Sequence, residues 1–387
     1  MHLNNGLDAA TLAAASVAAS HADEVDRTSR FPEETIRALQ AGRLMSLLVP
    51  QESGGMGAGL SQVASVCHAL AQACGASGMI YAMHQIQLAC IVAHGGGAEW
   101  HNALLRRISQ EQWLLASATS EIGTGGDIHT SLCAVEGADG GAVLLAKDAA
   151  TISYGARADG LLITARSSTD AAPNDQVMVV ALRRDYTLTQ TSQWDALGMR
   201  GTCSEGFRVC FHGMRHQILP APLADIAGQT MLPVCHLLWA SVWLGIATDA
   251  INRARNYLRR QGRGRDNVSM LARRLARGVA LLQMIQARLS QSLREYDTIF
   301  AHDSCRLPLG FTADVNNLKT AVSELCIEAV QHAFMVCGIE GYKNGSEFSL
   351  GRHIRDLMSA PIMINNDRML EATGNLLMMQ RPSLGVL

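Results

Sequence analysis

The sequence is short of several things, and each shortage removes a class of protein. Its ten cysteines never fall as a Cys-x-x-Cys pair: Cys67, Cys74, Cys90, Cys133, Cys203, Cys210, Cys235, Cys305, Cys326 and Cys337 stand singly. That scatter excludes a zinc ribbon or a disulfide scaffold and fits free thiols in a reducing cytoplasm. Charge of one sign is lacking too. With 32 basic against 34 acidic side chains the net charge is −2, which leaves no electrostatic footprint for nucleic acid or an anionic membrane. Charged residues make up only 17% and aromatics only 5%. No run reaches the roughly 18 apolar residues of a membrane span. The Ala-rich start contains Asp8, lacks a basic stretch and runs on into an amphipathic helix pattern, so it is expected to be a helix and not a secretory signal.

What is present is a large apolar fraction, 48% of 387 residues. That is enough to build two or three domains, or one multi-layer unit. The first hundred residues or so read as helices. Residues 7–25 are Ala-rich, Pro32 sits at a first helical position ahead of Glu33 and Glu34, and two apolar helices span 61–73 and 76–94. The last of these carries His84 and Gln85 in an otherwise apolar stretch. From 112 the character changes. Strand-like runs appear at 113–118, 142–146, 161–165, 177–181 and 207–211, separated by turns, as in an antiparallel sheet or small barrel. From 228 onward long helical patterns return at 231–260, 268–301, 312–336 and 352–377, an arrangement that suggests an antiparallel bundle. The expected architecture is α+β and mostly α: a helical domain at 1–111, a small central antiparallel β domain at 112–222, and a C-terminal four-helix bundle at 223–387.

At the first change of character stands Ser117-Ala-Thr-Ser-Glu-Ile-Gly-Thr-Gly-Gly-Asp127. Glycines so placed let a backbone approach a ligand and turn N–H groups toward it; read alone, such a stretch is more often a plain turn. Three further stretches accompany it: Leu197-Gly-Met-Arg-Gly-Thr-Cys-Ser204, Cys337-Gly-Ile-Glu-Gly-Tyr342 and Arg355-Asp356. In this order and spacing the four resemble motifs of the acyl-CoA dehydrogenase family, and the resemblance covers nearly the whole chain.

The resemblance implies FAD held between the β domain and the bundle. Ser117, Thr119, Ser120 and Gly125 would lie at the flavin ring, with Ser153 and Tyr154 at a second contact. Arg260 or Arg263 would reach the pyrophosphate of a flavin in an adjacent protomer, and the turn at Cys337 and Gly338 would act across the same interface. A homo-oligomer, a tetramer of closed symmetry, follows.

The family's chemistry needs a carboxylate base, and here the sequence departs. Ile364 occupies the place of the usual Glu, and the alternative place on the first bundle helix reads Val234-Cys-His-Leu-Leu-Trp239. Gly126 replaces a Ser that bonds the CoA arm in many members. Asp367, His236 and His84 are the residues able to stand in for the base. Two activities compete. The first is α,β-dehydrogenation of an acyl thioester on CoA or a carrier, with Asp367 as base and electrons passed to an acceptor protein. The alternative is a monooxygenase on the same fold, fed by a flavin reductase, in which no α-proton is removed and His84 and His236 line a water-poor pocket.

Overall fold

The computed structural model describes residues 2–261, 267–301 and 306–379. Arg263 lies outside the described residues. The chain divides into two compact units, the first made of Met1–Gly59, Met79–Ala196 and Arg200–Cys235, the second of Leu60–Gly78, Leu197–Met199 and His236–Leu387.

Helices α1 (His2–Thr28) and α2 (Glu33–Ala41) open the first unit. α1 buries a stripe of small side chains, Ala14, Ala18 and Ala22, ending at Val25. The spacing of about one turn puts them on one face, and their size permits close packing on α2. α2 starts directly after Pro32 with two acids in its first turn, as the macrodipole favours. Helices α3 (Leu60–Ala73), α4 (Gly75–His94) and α5 (Glu99–Glu111) follow along the chain, α3 falling in the second unit.

Strand β1 (Leu115–Ala118) begins the sheets, followed by β2 (Glu136–Gly137), β3 (Ala142–Ala149), β4 (Gly160–Arg166), β5 (Gln176–Leu182), β6 (Tyr186–Ser192) and β7 (Gly206–Met214). They form two sheets, ordered β1-β4-β5 and β2-β3-β7-β6. All pairs are antiparallel except β1 with β4, which run parallel with Leu115 opposite Gly160. A parallel pair needs a long crossover, and the chain between these strands supplies one. β4 is buried along nearly its whole length, whereas β3 alternates buried and exposed residues, as expected of a covered strand and a one-sided one.

The short helix α6 (Leu223–Ile226) leads through a π-helical turn, Ala227–Met231, into α7 (Leu232–Gln261). In the second unit α7 is followed by α8 (Asn267–Ala301), α9 (Leu309–Cys337), α10 (Ile339–Tyr342), α11 (Gly351–Leu357) and α12 (Asn366–Met379). The fold is thus helical at both ends with small sheets in the middle, as the sequence implies. The last bundle helix differs from expectation: it is two helices, α11 and α12. Pro361 falls in the break, and Ile364 adopts a left-handed backbone at φ 54°, so neither continues a helix.

Two helical stretches, Gly75–His94 and Leu223–Gln261, are long and apolar enough to cross a membrane by length and composition, where the sequence reading found no run of that kind. Their hydropathy has another cause, because 83% and 89% of those windows are buried within the protein.

Candidate functional site

In the first unit the site is built on the end of β1. Ser117 and Thr119 are half-buried there, their hydroxyls 3.4 Å apart. The Ser120 hydroxyl donates to the Thr151 carbonyl at 2.7 Å and accepts the Thr151 N–H at 3.1 Å, stapling the start of the loop. Gly123, Gly125 and Gly126 all have positive φ, at 98°, 62° and 79°, a backbone that only glycine adopts without strain.

A buried ion pair holds the loop from beneath. The Glu121 carboxylate accepts the Cys133 N–H and the Ser131 hydroxyl, each at 2.7 Å, and lies 3.4 Å from the Lys147 ammonium. Lys147 donates to the Thr164 carbonyl at 2.7 Å and hydroxyl at 3.0 Å. Burial pushes the Lys147 pKa down, and the Glu121 charge opposes that shift. Partners for every charge are the condition under which such a pair is tolerated inside a protein.

His84 is fully buried on α4. Its Nδ1 accepts the Leu115 N–H at 3.0 Å, so the ring proton must sit on Nε2, which donates to the Met45 carbonyl at 2.7 Å. Burial lowers its pKa to about 4, only partly offset by the Met45 bond. Both nitrogens are therefore spent on backbone groups of the first unit. Tyr154 grips the same strand: its ring is buried and its phenol donates to the Leu115 carbonyl at 3.0 Å. Its side chain faces the core, so only the neighbouring Ser153, half-buried, is left to present a hydroxyl.

Ser153 sits against the segment of the second motif. Tyr154 N–H donates to the carbonyls of Thr202 and Cys203 at 2.8 and 2.9 Å, and Ile152 N–H donates to the Glu205 carbonyl at 2.8 Å. Tyr154 and Cys203 each have φ of 45°, a left-handed conformation costing a non-glycine residue about 1–2 kcal/mol.

The remaining candidates belong to the second unit. Asp367 is exposed in the first turn of α12, where the Asn365 side chain caps the helix through the N–H groups of Asp367 and Arg368 at 2.9 and 3.2 Å. His236 is buried on α7, and neither ring nitrogen has a hydrogen-bond partner among the described residues. Burial, aided by the Lys319 charge, lowers its pKa to about 3. Ile364 offers its carbonyl to Lys319, which also donates to Asn366 at 2.8 Å. Arg260 is ion-paired with Glu347, its guanidinium 5.3 Å from the Phe348 ring centre. Cys337 is buried, and Gly338 turns the chain at φ 55°. Two motifs meet in this unit: Asp356 accepts the Met199 N–H at 2.6 Å, Arg355 donates to the Leu197 carbonyl at 3.1 Å, and a Cβ at Gly198 would collide with the Arg355 carbonyl.

Residues 7–112 match the acyl-CoA dehydrogenase N-terminal domain and residues 227–369 its C-terminal domain. The chain belongs to the acyl-CoA dehydrogenase family. It is 30% identical over 252 residues to a dibenzothiophene monooxygenase of Rhodococcus erythropolis, a match covering 62% of this chain and 59% of the relative. It is 24% identical over 358 residues to the mitochondrial isovaleryl-CoA dehydrogenase of Solanum tuberosum, covering 87% of this chain and 81% of that one. Among solved structures, FMN-bound TdsC from Paenibacillus sp. A11-2 superposes with a TM-score of 0.85 at 20% identity, covering 98% of both chains; at that identity the likeness establishes the fold alone.

Proposed function

We infer that this protein is a flavin-dependent monooxygenase that uses FMN reduced elsewhere and inserts one oxygen atom into a small organic molecule. The observation that carries this reading is chemical. Among the described residues, both places where dehydrogenation would need a carboxylate lack one. At the first, Ile364 is locked by Lys319. At the second, His236 has a pKa near 3, far too weak a base for an α-proton. Asp367 is a solvent-exposed acid in the first turn of α12, not a base held in a water-poor pocket. The kinship with dibenzothiophene monooxygenases supports the same conclusion, and so reverses the order in which the sequence ranks the two activities. Dehydrogenation of an acyl thioester is favoured by the long alignment with isovaleryl-CoA dehydrogenase and is the competing reading.

The loop fits a flavin. Ser117, Thr119 and Ser153 offer hydroxyls from partly open positions, Ser120 pins the loop start, and Gly125 leaves open space where a Cβ would stand. When bound, reduced flavin activates dioxygen, passing one atom to the substrate while the other leaves as water. His84 and Tyr154 act as positioning residues that fix β1, and with it Ser117, from the strand's two backbone groups at Leu115. Glu121 and Lys147 fix the loop. FMN is preferred to FAD on the precedent of FMN-bound TdsC; Arg260, one of the two residues expected at a pyrophosphate, pairs with Glu347 of its own chain. A flavin reductase is the implied electron partner. Met335, Ile339 and Tyr342, exposed at 51%, 63% and 71%, support association with a second copy.

The test has an anaerobic arm and an aerobic one. Oxidised enzyme with FMN is mixed with a panel of acyl-CoAs, and separately reduced enzyme is mixed with oxygen and dibenzothiophene or indole. Unchanged flavin absorbance in the first and oxygenated product in the second are expected. Bleaching by an acyl-CoA would overturn the reading.

A further inference from the structure

Ser153 does not stand alone. Its hydroxyl lies 2.8 Å from that of Ser204, which lies 2.8 Å from that of Thr202. Ser204 and Thr202 are buried while Ser153 is half-open. The three hydroxyls thus form a chain with one end accessible. The backbone that brings them together is left-handed at both Tyr154 and Cys203, and the paired segments are laced by the N–H groups of Ile152 and Tyr154. Strain kept on both sides of a buried polar chain points to a purpose for the chain.

Each hydroxyl carries one proton and accepts through lone pairs. If Thr202 donates to Ser204 and Ser204 to Ser153, the Ser153 proton is directed outward. If all three rotate, Ser153 donates inward and shows a lone pair. No proton leaves any oxygen in this exchange; only the polarity of the chain reverses. A flavin asks for both states, since its N5 is an acceptor when oxidised and carries N–H when reduced.

We propose that Ser204 and Thr202 are positioning residues that hold Ser153 toward the flavin and let it match either redox state by reversing the chain. The inference rests on the flavin reading above. It is tested by titrating oxidised FMN, and anaerobically reduced FMN, into wild type, Ser153→Ala, Ser204→Ala, Ser204→Thr and the Ser153→Ala/Ser204→Ala double variant. Urea unfolding of each checks that it is folded. Ser204→Ala should weaken binding of both redox forms by roughly two- to tenfold, the worth of one hydrogen bond. Ser204→Thr should restore it, and Ser204→Ala should add nothing to Ser153→Ala. An additive double variant would overturn the coupling. A loss confined to one redox form, seen as a potential shift of about 30 mV per tenfold change, would overturn the reversal. Failure of the wild type itself to bind FMN would instead refute the flavin reading.

Discussion

Replacing His84 with Phe tests the lock on β1 without reference to any cofactor. The ring's folded pKa of about 4 lies below its ordinary 6.5 because of burial, with the Met45 bond opposing. The unfolded chain therefore takes up the proton first. The stabilisation by His84 is fully present above the unfolded value and is lost as pH falls through the interval toward 4. Each pH unit across that interval costs up to about 1.4 kcal/mol; between pH 7 and 5.5 the loss comes to about 1 kcal/mol. His84→Phe removes this dependence. It also orphans the Leu115 N–H, at a cost of about 1–3 kcal/mol, whereas the Met45 carbonyl keeps the Gln85 amide at 3.2 Å. Urea unfolding followed by circular dichroism should find the variant about 1–3 kcal/mol less stable at pH 7, with the gap narrowing by about 1 kcal/mol at pH 5.5. A gap that stays constant would refute the argument that His84 is held neutral by its two backbone partners.

Three further outcomes follow from the geometry. Lys147→Met should destabilise the protein by about 3–5 kcal/mol by stranding the Glu121 carboxylate, and adding Glu121→Gln should recover much of that in urea unfolding. Tyr154→Phe should cost about 1 kcal/mol, the bond to the Leu115 carbonyl; no measurable change would mean the phenol does not pin β1. Asp367→Asn should leave the rate of oxygen reaction of the reduced enzyme unchanged in stopped flow, and a large fall would return Asp367 to consideration as a reacting group.

Much of the fold was legible because burial imposes a period. α7 and α9 repeat apolar residues at helical spacing, and β3 alternates. What escaped detection has physical causes. β6 reads Tyr-Thr-Leu-Thr-Gln-Thr-Ser and lies at a sheet edge, mostly exposed, so no apolar pattern marks it. The break between α11 and α12 depends on the backbone of Ile364, a residue whose type gives no hint of a left-handed φ. The glycine loop was visible as a motif. The grip on β1 was not, since it joins His84 and Tyr154 to backbone atoms of Met45 and Leu115, and backbone atoms leave no trace in residue identity. Ser204 was quoted within its motif, but its proximity to Ser153 needed two left-handed residues to create it.

The parallel pairing of β1 with β4 bears on how the chain is made. Leu115 finds its partner only at Gly160, and the ladder cannot close until the whole intervening crossover has been synthesised and folded back, an entropic delay typical of non-local strand pairing. During that interval Leu114, Leu115 and Ala116, destined for the interior, sit beside unpaired backbone groups, the usual template for association between nascent chains. A ribosome stalled between the loop and β4 would hold this apolar strand without its β4 partner.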